Sequence, residues 1–335
     1  MKVFITGATG VLGRRLVERF AERDHEVVGL ARDGAGERIV ERRGGTPRRG
    51  DVLEPKSLER AIDDDVEVLI HAATAIPGST RPTDEEWARN DRVRLEGVRN
   101  LLEASPSSLR QVLFPSVVWV ARQPDGSQFD ETADRHPDRA TRSAAEVEDL
   151  LERRANTDGF DVAILRCGFF YAPDARDTRS WAEGLLEGRL PIVGGGLLGR
   201  RDAELSFVHA DDAAAAFVAA VAAEASGRYH VVDDEPATGA AFFETFAALL
   251  GAGKPRRIPG WLARVFVGEV TVRMMTSPMP TTNAKAKREL GWEPEHSTHR
   301  DGLKQVIETW ESDGTLAELG VELGAKPGPR GEKVA

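Results

Sequence analysis

The stretch Thr6-Gly7-Ala8-Thr9-Gly10-Val11-Leu12-Gly13 (TGATGVLG) decides the fold. Lys2–Ile5 before it is apolar and reads as a short strand. Arg14–Glu22 after it reads as a helix, and Val27–Ala31 as a second strand. This is the spacing of a βαβ unit. The glycines at 7, 10 and 13 let the backbone turn tightly and approach a ligand. The helix start offers unpaired N–H groups and a positive dipole end to an anion. Thr6, Gly7, Thr9, Gly10, Val11, Leu12 and Gly13 are therefore expected to hold the pyrophosphate of a dinucleotide. The competing reading is a tight turn that binds nothing.

The end of the second strand bears on which dinucleotide. A carboxylate there holds the ribose hydroxyls of NAD(H). Here Ala31 stands at the acid position and Arg32 follows, and an arginine suits a 2′-phosphate. NADP(H) is the expected cofactor, with NAD(H) as the alternative, because Asp33 could neutralise Arg32 or bind the ribose itself.

Working outward, Val66–Ala73, Gln111–Val120 and Phe160–Leu165 read as further strands. Glu86–Ala104 and Arg142–Arg154 read as helices between them. Strands alternating with helices imply a parallel sheet covered on both faces. The expected fold class is α/β, a Rossmann-type doubly wound parallel sheet with a smaller C-terminal substrate-binding lobe. The expected division is 1–168 for the dinucleotide domain, with return segments at about 205–235. The lobe takes 169–204 and 236–323, and 324–335 forms a flexible tail.

The 335 residues carry a formal net charge of −10, which argues against nucleic acid as a partner. The longest apolar run, within Ala213–Ala223, is shorter than a membrane span, which needs roughly 20 residues. A single cysteine, Cys167, allows no internal disulfide. The expectation is a cytoplasmic protein acting on a small-molecule substrate. The seven histidines are dispersed, so no metal site is expected.

Further motifs follow the glycine loop in order. They are Gly50-Asp51-Val52, His71-Ala72-Ala73, Leu165-Arg166-Cys167-Gly168 with Tyr171-Ala172-Pro173, Ser206–Asp212 (SFVHADD) and Lys285–Pro294 (KAKRELGWEP). Over roughly residues 1–310 the chain resembles the extended short-chain dehydrogenase/reductase (SDR) family, the NAD-dependent epimerase/dehydratase group. The resemblance implies that Asp51 and Val52 meet the adenine and that His71, Ala72 and Ala73 line the cofactor. It also implies a homodimer built through paired helices.

The family's chemistry uses a serine or threonine and a Tyr-x-x-x-Lys pair. The tyrosine is the general acid/base, and the lysine lowers its pKa. Ser116, at the end of the strand in QVLFPSVVWVA, matches the substrate-orienting serine, so Ser116→Ala is expected to inactivate. The family's helix reads approximately Y-x-x-S-K-x-x-x-E. Anchored on Ser143 and Glu146, its tyrosine and lysine positions hold Ala140 and Ala144. An asparagine before Gly97 is replaced by Arg94. The only tyrosines are Tyr171 and Tyr229. Candidate substitute proton donors are Tyr171 and Glu131, with His136, Arg139 and Thr141 near the vacant position. His209 reads as structural, and Asp211 and Asp212 as caps of the following helix.

In the second half, Trp181, Phe242, Phe243, Trp261, Phe266, Met274, Met275 and Met279 supply apolar bulk for a core or pocket. Arg200, Arg201, Arg256, Arg257 and Arg273 are candidate partners for a diphosphate. The leading reading is an NADP(H)-binding oxidoreductase or epimerase/dehydratase-like enzyme with Ser116 and a non-standard proton donor. Its substrate would be a small carbonyl, alcohol or sugar. A non-redox lyase, isomerase or cyclase, and an NADP-sensing binding protein, remain open alternatives.

Overall fold

The computed structural model describes residues 1–79, 81–194 and 202–321. Arg200, Arg201 and the tail from Gly324 lie outside the described residues.

The N-terminal half alternates strands and helices as the sequence pattern requires. In chain order these are β1 (Lys2–Thr6), α1 (Val11–Ala21), β2 (Glu26–Ala31), α2 (Gly34–Arg42), β3 (Thr46–Arg49), α3 (Pro55–Ala61), β4 (Val68–His71), α4 (Asp84–Glu103), β5 (Gln111–Val117), α5 (Arg142–Asp158) and β6 (Asp161–Cys167). Four short strands follow: β7 (Phe169–Tyr171), β8 (Ile192–Val193), β9 (Glu204–Leu205) and β10 (Phe207–His209), with α6 (Arg176–Leu186) after β7. After α7 (Ala210–Ala222) the chain returns to the main sheet as β11 (Gly227–Val231).

The main sheet has seven strands in the order β11-β6-β5-β4-β1-β2-β3, and every pair is parallel. The strand order reverses direction between β1 and β4. A crevice opens there at the C-terminal strand ends, which is where open α/β sheets bind ligands. The central strands are apolar runs because helices bury both faces. One face packs Leu16, Phe20, Phe217 and Val221 against the sheet, and the other packs Leu58, Leu101 and Leu151. Pro115 is tolerated inside β5 because the ladder to β4 ends at Leu113. β3 reads Thr-Pro-Arg-Arg and escaped the apolar pattern. It is an edge strand, where a proline costs no shared hydrogen bond.

The α1 helix begins three residues earlier than its apolar periodicity implies. Its first turn, Val11–Gly13, belongs to the glycine loop itself. Similarly β5 ends at Val117, and Val118–Ala121 coil into a short 3₁₀ turn.

The remaining elements are β12 (Ala237–Thr238), α8 (Gly239–Leu249), β13 (Arg257–Ile258), α9 (Gly260–Thr276), α10 (Ala284–Leu290), α11 (His299–Asp313) and α12 (Thr315–Glu318). A second core gathers Phe242, Phe243, Phe246, Met279, Leu303 and Trp310 with Tyr171. Trp261 and Phe266, expected as apolar bulk, stand 71% and 64% exposed on α9. No described helix is long and apolar enough to cross a membrane.

Candidate active site

The glycine loop has two kinds of glycine. Gly7 adopts φ +66°, and a Cβ there would sit 2.5 Å from the Ala72 carbonyl. Gly13 is closed in the same way, since its Cβ would lie 2.0 Å from the Gly7 oxygen. These two fit the loop to the end of β4 and to its own helix. Gly10 is different: it is exposed, and its Cβ would meet only the Gly7 oxygen at 3.3 Å. Its bare backbone faces the crevice. The amides of Val11, Leu12 and Gly13 have no protein acceptor among the described residues, and the first turn of α1 carries no acid. Free amides at a positive dipole end fit a pyrophosphate.

The other expected cofactor contacts divide. Thr6 is fully buried, and its hydroxyl meets His71 Nδ1 at 2.9 Å. His71 is itself 2% exposed, and burial pushes its pKa down to about 4. Its ring packs between Phe114 and Gly97 of α4. His71 therefore braces the strand ends from below, while the half-exposed Ala72 and Ala73 follow it. Thr9 and Val11 are half-buried, and Leu12 is buried. Asp51 accepts from the Leu53 amide at 2.9 Å, and Val52 is buried with its carbonyl taken by Asn100 at 2.8 Å.

At the end of β2 the ambiguity over Asp33 narrows. Its carboxylate accepts from the Gly36 amide at 2.8 Å and caps α2. Arg32 is exposed and has no hydrogen bond or ion pair among the described residues. Arg38 and Arg49 stand nearby, each 3.7 Å from where a Gly34 Cβ would be. Arg49 is held by two bonds to Glu37, at 2.9 and 2.8 Å. This basic turn was missed in the sequence because Arg49 ends a strand with no apolar signature.

On the other side of the crevice, Ser116 is 2% exposed and donates to Glu148 Oε1 at 2.5 Å. Glu148 is fully buried and receives Arg166 through two bonds, at 3.0 and 2.7 Å, and Arg135 at 3.2 Å. The serine hydroxyl thus ties β5 to α5 and β6. Glu146, used as an anchor from the sequence, is exposed. In Y-x-x-S-K-x-x-x-E, with Ser143 at the serine, the acid falls four residues after Ala144, on Glu148. The alternation of β5 turns the next residue, Val117, to the opposite side. Val117 packs with Val120, Ala144 and Ala145 in a small apolar cluster. Ala140 and Ala144 are 7% and 1% exposed.

The candidate proton donors are not gathered around Ser116. Tyr171 is fully buried in the second core, wedged against Gly302, His209 and Phe242. Its hydroxyl donates to Asp233 at 3.3 Å, and burial pushes its pKa well above the usual phenol value. Glu131 lies at the outer edge of β11, where it accepts from the His230 amide at 2.7 Å. Both β6 and β11 lie between it and Ser116, so the two are more than about 10 Å apart at roughly 4.8 Å per strand. Burial raises its pKa, but it faces the wrong edge of the sheet for this role. Thr141 is sealed in and bonded to Asp138, Arg139 reaches Asp91 on α4 at 2.8 Å, and His136 is exposed. Tyr229 donates to the Ser226 carbonyl at 3.0 Å, near the N-terminal end of β11.

His209, not an aspartate, caps α7. Asp211 instead binds Arg15 at 2.6 Å, and Asp212 holds the amides of Glu295 and His296 at 2.8 and 3.1 Å. The Asp211 contact ties α7 to α1, and the Asp212 contacts tie the late chain to α7. His209, Asp212 and His296 place ligand-type atoms within 4.8 Å of one another, a grouping that their dispersal in sequence concealed.

Two residues past Val117, Trp119 stacks on Phe169 at 4.6 Å, and both rings are half-buried. This aromatic wall joins residues fifty positions apart, so no local motif announced it.

A seven-stranded parallel sheet with a glycine loop at its switch point defines a dinucleotide-binding fold of the Rossmann type. The chain belongs to the NAD-dependent epimerase/dehydratase family, whose family model matches residues 3–232, within the extended SDR group. It is similar to a 3-diazoavenalumate denitrifying reductase from a Streptomyces species, 33% identical over 90% of this chain and 99% of that one. Its fold is that of UDP-glucose 4-epimerase of Thermus thermophilus solved with NAD, with TM-score 0.75, 23% identity, and coverage of 93% and 99%. It is also that of human epimerase family protein SDR39U1 (isoform 2) solved with NADPH, with TM-score 0.76, 18% identity, and coverage of 92% and 99%.

Proposed function

We propose that this protein is an NADPH-dependent reductase that delivers hydride to an aryl diazonium group and releases dinitrogen. The observation that carries the reading is that buried alanines, Ala140 and Ala144, stand at the family's tyrosine and lysine positions, with Val117 packed in one cluster with Ala144. Reducing a carbonyl creates an alkoxide that must be protonated. Losing a positioned acid there costs about 10²–10⁴-fold in rate. A diazonium ion is already electron-poor. Hydride from NADPH gives a neutral aryl diazene, which collapses to the arene and N₂. The balance is ArN₂⁺ + NADPH → ArH + N₂ + NADP⁺, with no proton donor in it.

Three further features support the reading. The Trp119–Phe169 stack offers an aromatic face for an aryl ring. The Streptomyces relative, similar over nearly its whole length, is named for a reaction of this class. The exposed Arg32, with Asp33 spent on its helix cap, supports NADP(H) over NAD(H).

The test is oxidation of NADPH by an arenediazonium salt with no ring hydroxyl, followed at 340 nm with the arene quantified by chromatography. Turnover above the uncatalysed rate, one arene per NADPH, and a kcat flat between about pH 6 and 8 are expected. Aldehydes, ketones and UDP-sugars should give none. Faster turnover of any carbonyl than of the diazonium salt would overturn the reading, and so would turnover by protein stripped of nucleotide.

A further inference from the structure

Four arginines are buried among the described residues: Arg15, Arg94, Arg122 and Arg166. Three have carboxylate partners. Arg15 is held by Asp174 and Asp211, Arg122 by Asp138, and Arg166 by Glu148. Arg94 has none. Its Nε has no hydrogen-bond partner, and its Nη1 makes one long contact, 3.4 Å to Ser143 Oγ. Asp91, one turn earlier, gives its Oδ2 to Arg139 and Arg142 at 2.8 and 3.4 Å; its charge offsets part of the burial of Arg94, but no hydrogen bond joins the two. Burial lowers the Arg94 pKa only to about 10, so the group stays charged at neutral pH.

The position of this charge is informative. Arg94 belongs to the inward stripe of α4, between Asn90 and Gly97. Asn90 Oδ1 accepts from the Ala75 amide at 3.0 Å, and a Gly97 Cβ would stand 2.9 Å from the His71 ring. The stripe therefore faces the segment that leaves β4 at the crevice. On its other side Arg94 meets Ser143, the residue before Ala144, where relatives carry the lysine of their Tyr-x-x-x-Lys pair.

We propose that Arg94 is a cofactor-binding residue, its guanidinium donating to oxygens of the bound dinucleotide from α4 in place of the lysine absent at position 144. A guanidinium has five donors and no acceptor, so its partners are phosphate or ribose oxygens. The nucleotide-free fold then carries a buried charge with no hydrogen-bonded counter-ion, and the dinucleotide supplies one. The inference rests on dinucleotide binding alone and stands whichever substrate is reduced.

The test compares Arg94→Met and Arg94→Lys with wild type, measuring NADP⁺ affinity by calorimetry and the melting temperature of the nucleotide-free protein. Arg94→Met should weaken NADP⁺ by roughly 10- to 100-fold, the range of a charge-assisted hydrogen bond. Its nucleotide-free melting temperature should stay level or rise, because an unpaired charge has left the interior. Arg94→Lys should recover part of the affinity. NADP⁺ binding within threefold of wild type in Arg94→Met would overturn the proposal. So would a lower nucleotide-free melting temperature, or failure to fold, while Arg94→Lys is sound, since either marks a structural arginine.

Discussion

Along β1, β2 and β3 the crevice is made of backbone: glycines, free amides at the start of α1, and a capped turn at Asp33. Along β5 and β6 it is made of side chains. Ser116 is drawn into a buried ion network, and buried alanines stand at positions 140 and 144. The two halves of one sheet thus separate nucleotide binding from proton chemistry. The first depends on chain path and stays intact here. The second depends on three or four side chains, none of which presents a proton donor to the crevice.

That contrast can be broken most severely at Glu148. Glu148→Ala would leave Arg166 buried without its counter-ion. A broken buried pair costs about 3–5 kcal/mol, so the thermal midpoint should fall by roughly 10 °C in a calorimetric scan. Affinity for nucleotide in the protein that remains folded should change little. A melting temperature near wild type would mean that the network contributes nothing to the catalytic half.

The nucleotide half is sharpened at Arg32. Arg32→Ala should weaken NADP⁺ by roughly 10- to 100-fold, as loss of a charge-assisted contact to a phosphate does. NAD⁺ binding should stay within about twofold. Titrations of both nucleotides read this directly, and an equal loss for the two would place Arg32 outside the 2′-phosphate site.

The smallest effect is expected at Ser116. Its hydroxyl faces Glu148, so Ser116→Ala should cost about 1 kcal/mol of stability and change kcat by less than about threefold. An inactive but fully stable variant would restore the serine to the role that its place in the sequence implies.

The legible parts of the fold share a cause. TGATGVLG, the apolar strands and the stripe of α4 are local patterns, and each element formed within a few residues of its pattern. The site was less legible because its decisive facts are not local. Glu148 and Glu146 lie two residues apart on one helix, yet one is fully buried and the other exposed. Tyr171 follows a familiar motif, but the α11 backbone at Gly302 closes over its hydroxyl. Glu131 looked close to the crevice in sequence, but its loop runs to the far edge of β11. Arg94 reads as one more arginine in a charged helix until its lack of a carboxylate partner is seen.

The contact between Gly7 and Ala72 has a consequence for how such a protein changes over generations. Main chain presses on main chain there, so no substitution on either side can ease the fit of a larger residue at position 7. That part of the molecule can be inherited or lost, but not adjusted. Positions 117, 140 and 144 differ from relatives only in their side chains, and a few point substitutions rewrite them. A lineage holding this chain can exchange its chemistry without renegotiating its grip on the nucleotide.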